Sequence, residues 1–153
     1  MDKFTFREHW IVYKAVSNFV LLVSLWFISF PLLAQSDSSS LGFELNKLEQ
    51  STDDCLAFLV LKNSAQMHFD ILKVDLVLFD TQGLIQRRLA LNVAPVEPEK
   101  TRVRQFRMAG VQCGDIGSIL VNEVIECVVD GSPNTSCLGL MSISSRLNIS
   151  LYK

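Results

Sequence analysis

The sequence predicts an all-β domain, an immunoglobulin-like β-sandwich of about seven strands, behind an N-terminal apolar segment. Three observations carry that expectation. Apolar and β-branched residues recur at period two between Leu41 and Tyr152. Turn-forming residues interrupt them about every ten residues, as in sandwich domains. No segment of that stretch reads confidently as a helix. An eight-stranded closed barrel is the competing architecture, and uneven strand and loop lengths count against it.

The chain has 153 residues. Its first part carries Lys3, Arg7 and Lys14 against Asp2 and Glu8, and residues 15–34 then hold no charge. A basic flank, an apolar run and Ala34 before the polar QSDSSS form a secretory signal peptide cleaved after Ala34. The run is also long enough to span a bilayer, so an uncleaved signal anchor is the alternative. Ser17 and Asn18 shorten the strongly apolar part, and Pro31 breaks a helix just ahead of the cleavage point. Both favour removal, while Leu32 is larger than the residue a signal protease prefers. The flank has no paired arginine, which indicates the general secretory route. No cysteine follows the run, so a lipid anchor is not indicated. The domain plan is therefore 1–34 signal peptide or anchor, 35–40 flexible lead-in, and 41–153 sandwich.

LGFELNKLEQ (41–50) alternates through Leu41, Phe43 and Leu45 and slips at Leu48, as a first strand. CLAFLVLK (55–62) is apolar on both faces, which marks a central strand. After the polar connection NSAQMHFD, residues 71–79 put Leu72, Val74, Leu76 and Leu78 on one face and Lys73, Asp75, Val77 and Phe79 on the other. Asp80-Thr81-Gln82-Gly83 makes a turn, with positive φ expected at Gly83. Residues 84–93 resume as a strand, and Pro95 and Pro98 then bar any continued ladder. KTRVRQFRM (100–108) is a further strand. Residues 119–129 read as strand or short helix, with β-branched content favouring strand. Residues 138–145 fit no pattern clearly, and RLNISLY (146–152) alternates as a last strand.

Cys55, Cys113, Cys127 and Cys137 all lie in the exported part, and an even number there points to two disulfides among three connectivities. Cys127–Cys137 would close a short loop around Asp130-Gly131-Ser132-Pro133-Asn134. Cys55–Cys113 would tie the central strand pair to the segment before the next strand. The spacings match no zinc site, since C-x₂-C is absent and His68 is the only histidine after the signal segment.

LKNSAQMHFDILKVDLVLFDTQGLIQRR followed by VEPEKTRVRQFRM resembles the immunoglobulin-like FxLYD-type modules of bacterial envelope proteins, in which a strand ends in a KN turn and a P-x-K-T turn starts the next. The whole mature chain is similar to uncharacterised exported alphaproteobacterial proteins often labelled by a twin-arginine signal sequence. LGFELNKLEQ, the four cysteines, LKVDLVLFD and SSRLNISLYK carry that resemblance. It implies the fold and an envelope setting and transfers no activity. The twin-arginine label departs from this chain, whose flank holds Arg7 alone.

Composition narrows the partners. Removing residues 1–34 takes three basic and two acidic residues from the 14 and 16 of the full chain. A mature charge of about −3 argues against nucleic acid. A membrane partner enters only through residues 15–34, if they are retained. Catalysis lacks its parts: His68 is the sole base for a triad, and no serine or cysteine is placed with a third orienting group. Asp53, Asp54, Asp70, Asp75 and Asp80 miss EF-hand spacing and read as solvated turn and strand-face carboxylates. Asn134-Thr135-Ser136 and Asn148-Ile149-Ser150 fit the glycan acceptor pattern, relevant only in a eukaryotic secretory pathway.

The one concentration of charge is basic, over Arg87, Arg88, Lys100, Arg102, Arg104 and Arg107. If residues 84–93 and 100–108 pair, Arg88, Lys100, Arg102 and Arg104 share an exposed face. That face could bind an acidic partner, an envelope polyanion or lipid head groups, or serve to solubilise and protect an edge. The expectation is thus a non-catalytic exported module binding a protein or surface component, with no cofactor and no metal. The alternatives are a membrane-tethered accessory subunit and, less in keeping with the residues, a thiol-redox or hydrolytic enzyme.

Overall fold

The computed structural model describes residues 40–153. The expected signal segment, and all but the last residue of the lead-in, lie outside the described residues. Within them the chain builds a β-sandwich of nine strands in two mixed sheets.

The first sheet contains β1 (Leu41–Ser51), β2 (Asp54–Asn63), β5 (Thr101–Ala109) and β8 (Met141–Ser145), in the order β5-β2-β1-β8. Strand β2 is central, as its two-sided apolar pattern predicts. Its Cys55, Ala57, Leu59 and Leu61 are buried facing the second sheet, while Leu56, Phe58 and Val60 line the outer face. Strand β1 supplies Leu41, Phe43 and Leu45 to the core and then skips a register step between Leu45 and Lys47. The expected slip is real, one turn of the pleat earlier than Leu48, and it is a bulge at Asn46.

The second sheet contains β3 (Phe69–Asp80), β4 (Ile85–Asn92), β6 (Ile116–Val129), β7 (Ser132–Pro133) and β9 (Ser150–Tyr152). Its path is β4-β3-β6, with β7 and β9 both paired to β6. Leu72, Val74, Leu76 and Leu78 of β3 form the inward row against Ile119, Val121 and Cys127 of β6. Fully burying a residue such as Phe43 of the first sheet or Phe69 of the second is worth about 1.5–3 kcal/mol, so the inward rows of the two sheets hold them together. Gly83 turns from β3 to β4 at φ 81°.

The ladder of β3 and β4 ends at Asn92, as the prolines require. Beyond it Val93, Ala94 and Val96 are buried, Ala94–Pro95 is cis, and Val96 makes a lone two-bond bridge with Phe69 between the prolines.

The C-terminal segment differs from expectation. Cys137–Leu140 is a one-turn helix, α1, and residues 141–152 form two short strands where one was expected from Arg146. Strand β8 pairs parallel with β1, and β9 pairs parallel with β6. Residues 146–149 therefore cross from one sheet to the other, with Arg146 N donating to Leu45 O at 2.9 Å on the way. A single strand cannot serve both sheets, which is why the alternation at 146–152 misleads.

Candidate functional site

The cysteines come together as the loop argument expects. Cys55 bonds Cys113 with Cα atoms 5.0 Å apart, and Cys127 bonds Cys137 at 6.5 Å. The first bridge pins β2 to the 3-10 turn before β6, and the second pins β6 to α1. Two disulfides in one small domain belong to an oxidising, extracytoplasmic environment. No helix among the described residues is long and apolar enough to cross a membrane.

His68 is not a free loop histidine. Its Nδ1 lies 2.8 Å from Asp70 Oδ1, and its backbone N–H donates to Asp130 Oδ1 at 2.8 Å. The second oxygen of Asp70 accepts Gly131 N–H at 2.8 Å. That backbone bond first, and His68 second, hold the Asp70 carboxyl below its usual range. The pair is thus occupied in fastening the β2–β3 connection to the β6–β7 turn. Among the described residues, no three histidine, cysteine, aspartate or glutamate side chains converge as a metal site. A shallow depression of about 350 Å³ where β6 meets β7 has Glu126 as its one charged lining residue, which leaves it no second group for acid–base exchange.

Asp75 corrects the expectation of solvated carboxylates. Its side chain is 4% exposed, and Arg88 Nε donates to both oxygens at 2.8 and 2.9 Å. Asn122 Nδ2 adds a third bond at 2.9 Å, and Arg88 also reaches Glu123. These bonds, Arg88 foremost, keep Asp75 ionised despite its burial. Among the described residues Asn63 is the other buried polar one, and sequence reasoning missed its burial. Its Nδ2 donates to Met67 O and Glu97 O, and its Oδ1 accepts Ala65 N–H. An asparagine ending a strand before a serine is the one signal that pointed to such a turn.

The expected basic face is not assembled. Strands β4 and β5 lie in different sheets and do not pair. Arg88 stands opposite Val77 on the outer face of the second sheet, committed to Asp75. Arg102 and Arg104 stand opposite Leu61 and Leu59, so they point toward the core side. Arg102 pairs with Glu97, which pulls the Glu97 carboxyl down to about 2. Arg104 caps Val93 O and Pro95 O at 3.1 and 3.2 Å. Lys100 precedes β5, and its carbonyl accepts Asn63 N–H. Arg87, which sequence parity did not single out, lies opposite the buried Leu78 and so faces the core side as Arg104 does.

The geometry thus creates a seam along one side of the sandwich, between edge strands β4 and β5. Its floor is Leu89, Leu91 and Phe106, half-buried against the core. Its rim carries Arg87 and Arg104, and neither makes a carboxylate pair among the described residues. On the outer side of the same edge, Val103 is 62% exposed. The outer face of the second sheet holds a separate apolar row, Val77, Leu120 and Tyr152, with Phe79 and Ile85 alongside.

Comparison with known proteins supports the fold. No family model matches the chain. No curated protein matches it. Among solved structures, the chain is similar to IrmA from Escherichia coli, with a TM-score of 0.53 and 14% identity over 67% of this chain and 89% of that one. At that identity the likeness is one of fold, a β-sandwich of the same general build.

Proposed function

We propose that this chain is a non-catalytic module of the cell envelope that binds a protein or surface component through an open edge or outer face of its sandwich. In this reading residues 1–34 direct export and the domain works in the periplasm or beyond the cell. One observation carries it: the polar groups with chemical potential are tied into the scaffold, while apolar side chains remain presented outward. His68, Asp70 and Asp75 are spent on internal bonds, and all four cysteines are paired. Against that, Leu84, Ile85, Val103 and Tyr152 are open to solvent on strands or turns. Strand edges and sheet faces of this kind are common sites of peptide and protein recognition.

The test is site-specific photo-crosslinking in the native host. A benzophenone side chain is placed in turn at Ile85, Val103 and Tyr152. A discrete protein or surface-component adduct from at least one position is the expected result. Absence of adducts from all three, in protein shown to be folded and oxidised, sinks the binding reading.

A further inference from the structure

The β4–β5 seam has a chemistry that selects its occupant. We propose that it is a docking site for an extended, acidic segment of a partner protein, which adds to the free edge of β5 and sets its carboxylates on Arg87 and Arg104. This deepens the binding reading above and rests on it.

Strand β5 is a terminal strand of its sheet, and among the described residues it pairs with β2 alone. Its far edge therefore offers backbone donors and acceptors that a further strand can satisfy. Side chains of an added strand alternate between the two sides. Those on the outer side meet Thr101, Val103 and Gln105, where exposed Val103 favours an apolar neighbour. Those on the core side enter the seam, over Phe106, Leu89 and Leu91 and beside the guanidiniums.

The guanidiniums then decide the sign. Arg102 is neutralised by Glu97 and Arg107 pairs with Asp54, but Arg104 is held only by carbonyl oxygens. Arg87 reaches across from β4, so that a Cβ built on Gly110 at the end of β5 comes 3.9 Å from its Nη2. Two arginines without carboxylates thus flank an apolar floor. Carboxylates of an entering strand would supply the missing charge-assisted bonds. Inward-pointing charge on an edge strand deters indiscriminate pairing, and the same charge admits a partner carrying the opposite sign.

Two other occupants fit less well. A second copy pairing through β5 would bring arginines from both chains into one ribbon, and β5 has no acidic residue to oppose them. A lipid surface meets a geometric obstacle. The guanidiniums face the gap between sheets stacked about 10 Å apart, where a planar headgroup layer does not enter and an extended chain does.

The test uses the full protein purified from its host without reductant and a labelled synthetic peptide alternating Glu with Val and Thr. A peptide with Lys for every Glu is the control. Binding is read by fluorescence anisotropy at about 0.05 and 0.3 M salt, which changes the Debye length more than twofold. The acidic peptide is expected to bind, more weakly at high salt, and the basic one not. Arg87→Gln and Arg104→Gln should each weaken binding about tenfold, as for charge pairs at a partly desolvated rim. Arg146→Gln, beyond β8 at the opposite edge of the sheet and paired with Glu44, should leave it within about twofold. Circular dichroism and thermal unfolding establish that each variant is folded. Equal binding of the basic peptide, no binding of the acidic one, or indifference to both glutamine variants overturns the proposal. If such a failure accompanies a photo-adduct at Tyr152 or Ile85, this edge is wrong while the binding reading stands. If no position yields an adduct, both fail together.

Discussion

Asp75 and Gly117 show how much single positions settle here. A carboxylate on a half-buried strand face is ordinarily solvated, yet Asp75 is enclosed and carries three hydrogen bonds from Arg88 and Asn122. Its partner is 60% exposed, so solvent screens the pair and its net worth falls well below that of a fully buried ion pair. What it contributes is register: Arg88 and Asn122 reach one carboxylate from the strands on either side of β3. Gly117 acts through space rather than charge. A Cβ there would lie 2.3 Å from Asp80 O and 2.8 Å from Asp80 C, both backbone atoms that cannot swing aside. Gly117→Ala should therefore cost about 1–3 kcal/mol, the usual penalty of overpacking. Urea denaturation of the two proteins measures it. A loss under about 0.5 kcal/mol, the range of an ordinary surface substitution, would mean that the end of β6 moves freely away from the β3 turn.

At the scale of elements, the two bridges close loops of very different size, with sequence separations of 58 and 10. In the chain-entropy model the longer loop is worth about 4 kcal/mol and the shorter about 3. Replacing Cys55 and Cys113 together by alanine should thus lower stability by more than replacing Cys127 and Cys137, as read from urea midpoints of the oxidised proteins. The reverse order would show that fastening α1 to β6 matters more than closing the long loop. Strand positions through β5 were legible because each strand carries its own period-two pattern and its own turn, and β1 to β5 fall within about two residues of that reading, whereas β6, read as strand or short helix from residue 119, is a strand from Ile116. The basic row was not legible. Parity within β4 and β5 was readable, but the row needed the two strands to pair, and they join different sheets, with Arg88 on an outer face and Arg102 and Arg104 on the core side. The crossing at residues 146–149 was illegible for a related reason, since local alternation carries no mark of the sheet a strand joins.

At the scale of the whole molecule, four carboxylates tie the stability of the fold to pH. Asp70, Asp75, Glu97 and Glu44 all have folded-state pKa values below their ordinary ones, through Gly131 N–H, Arg88, Arg102 and Asn46 respectively. A carboxyl depressed on folding stabilises the native state at pH values above its unfolded pKa, and that contribution is lost as pH falls toward the folded one. For Glu97 the window runs from an ordinary 4.5 down to about 2. Stability in urea should therefore be level through the neutral range, begin to fall near pH 5 and keep falling to about pH 2. Asp70 and Glu97 keep about a third of their side chains in solvent, which screens their pairs, so the enclosed Asp75 should carry a large share of the slope beside Glu97. Asp75→Asn, which keeps the shape but loses the charge that Arg88 and Asn122 address, is expected to cost about 2 kcal/mol at neutral pH. Its acid decline should be shallower than that of the parent protein, so the two curves converge as pH drops. Parallel curves would show that Asp75 keeps its charge state throughout and that the acid response belongs to the exposed pairs at the rim.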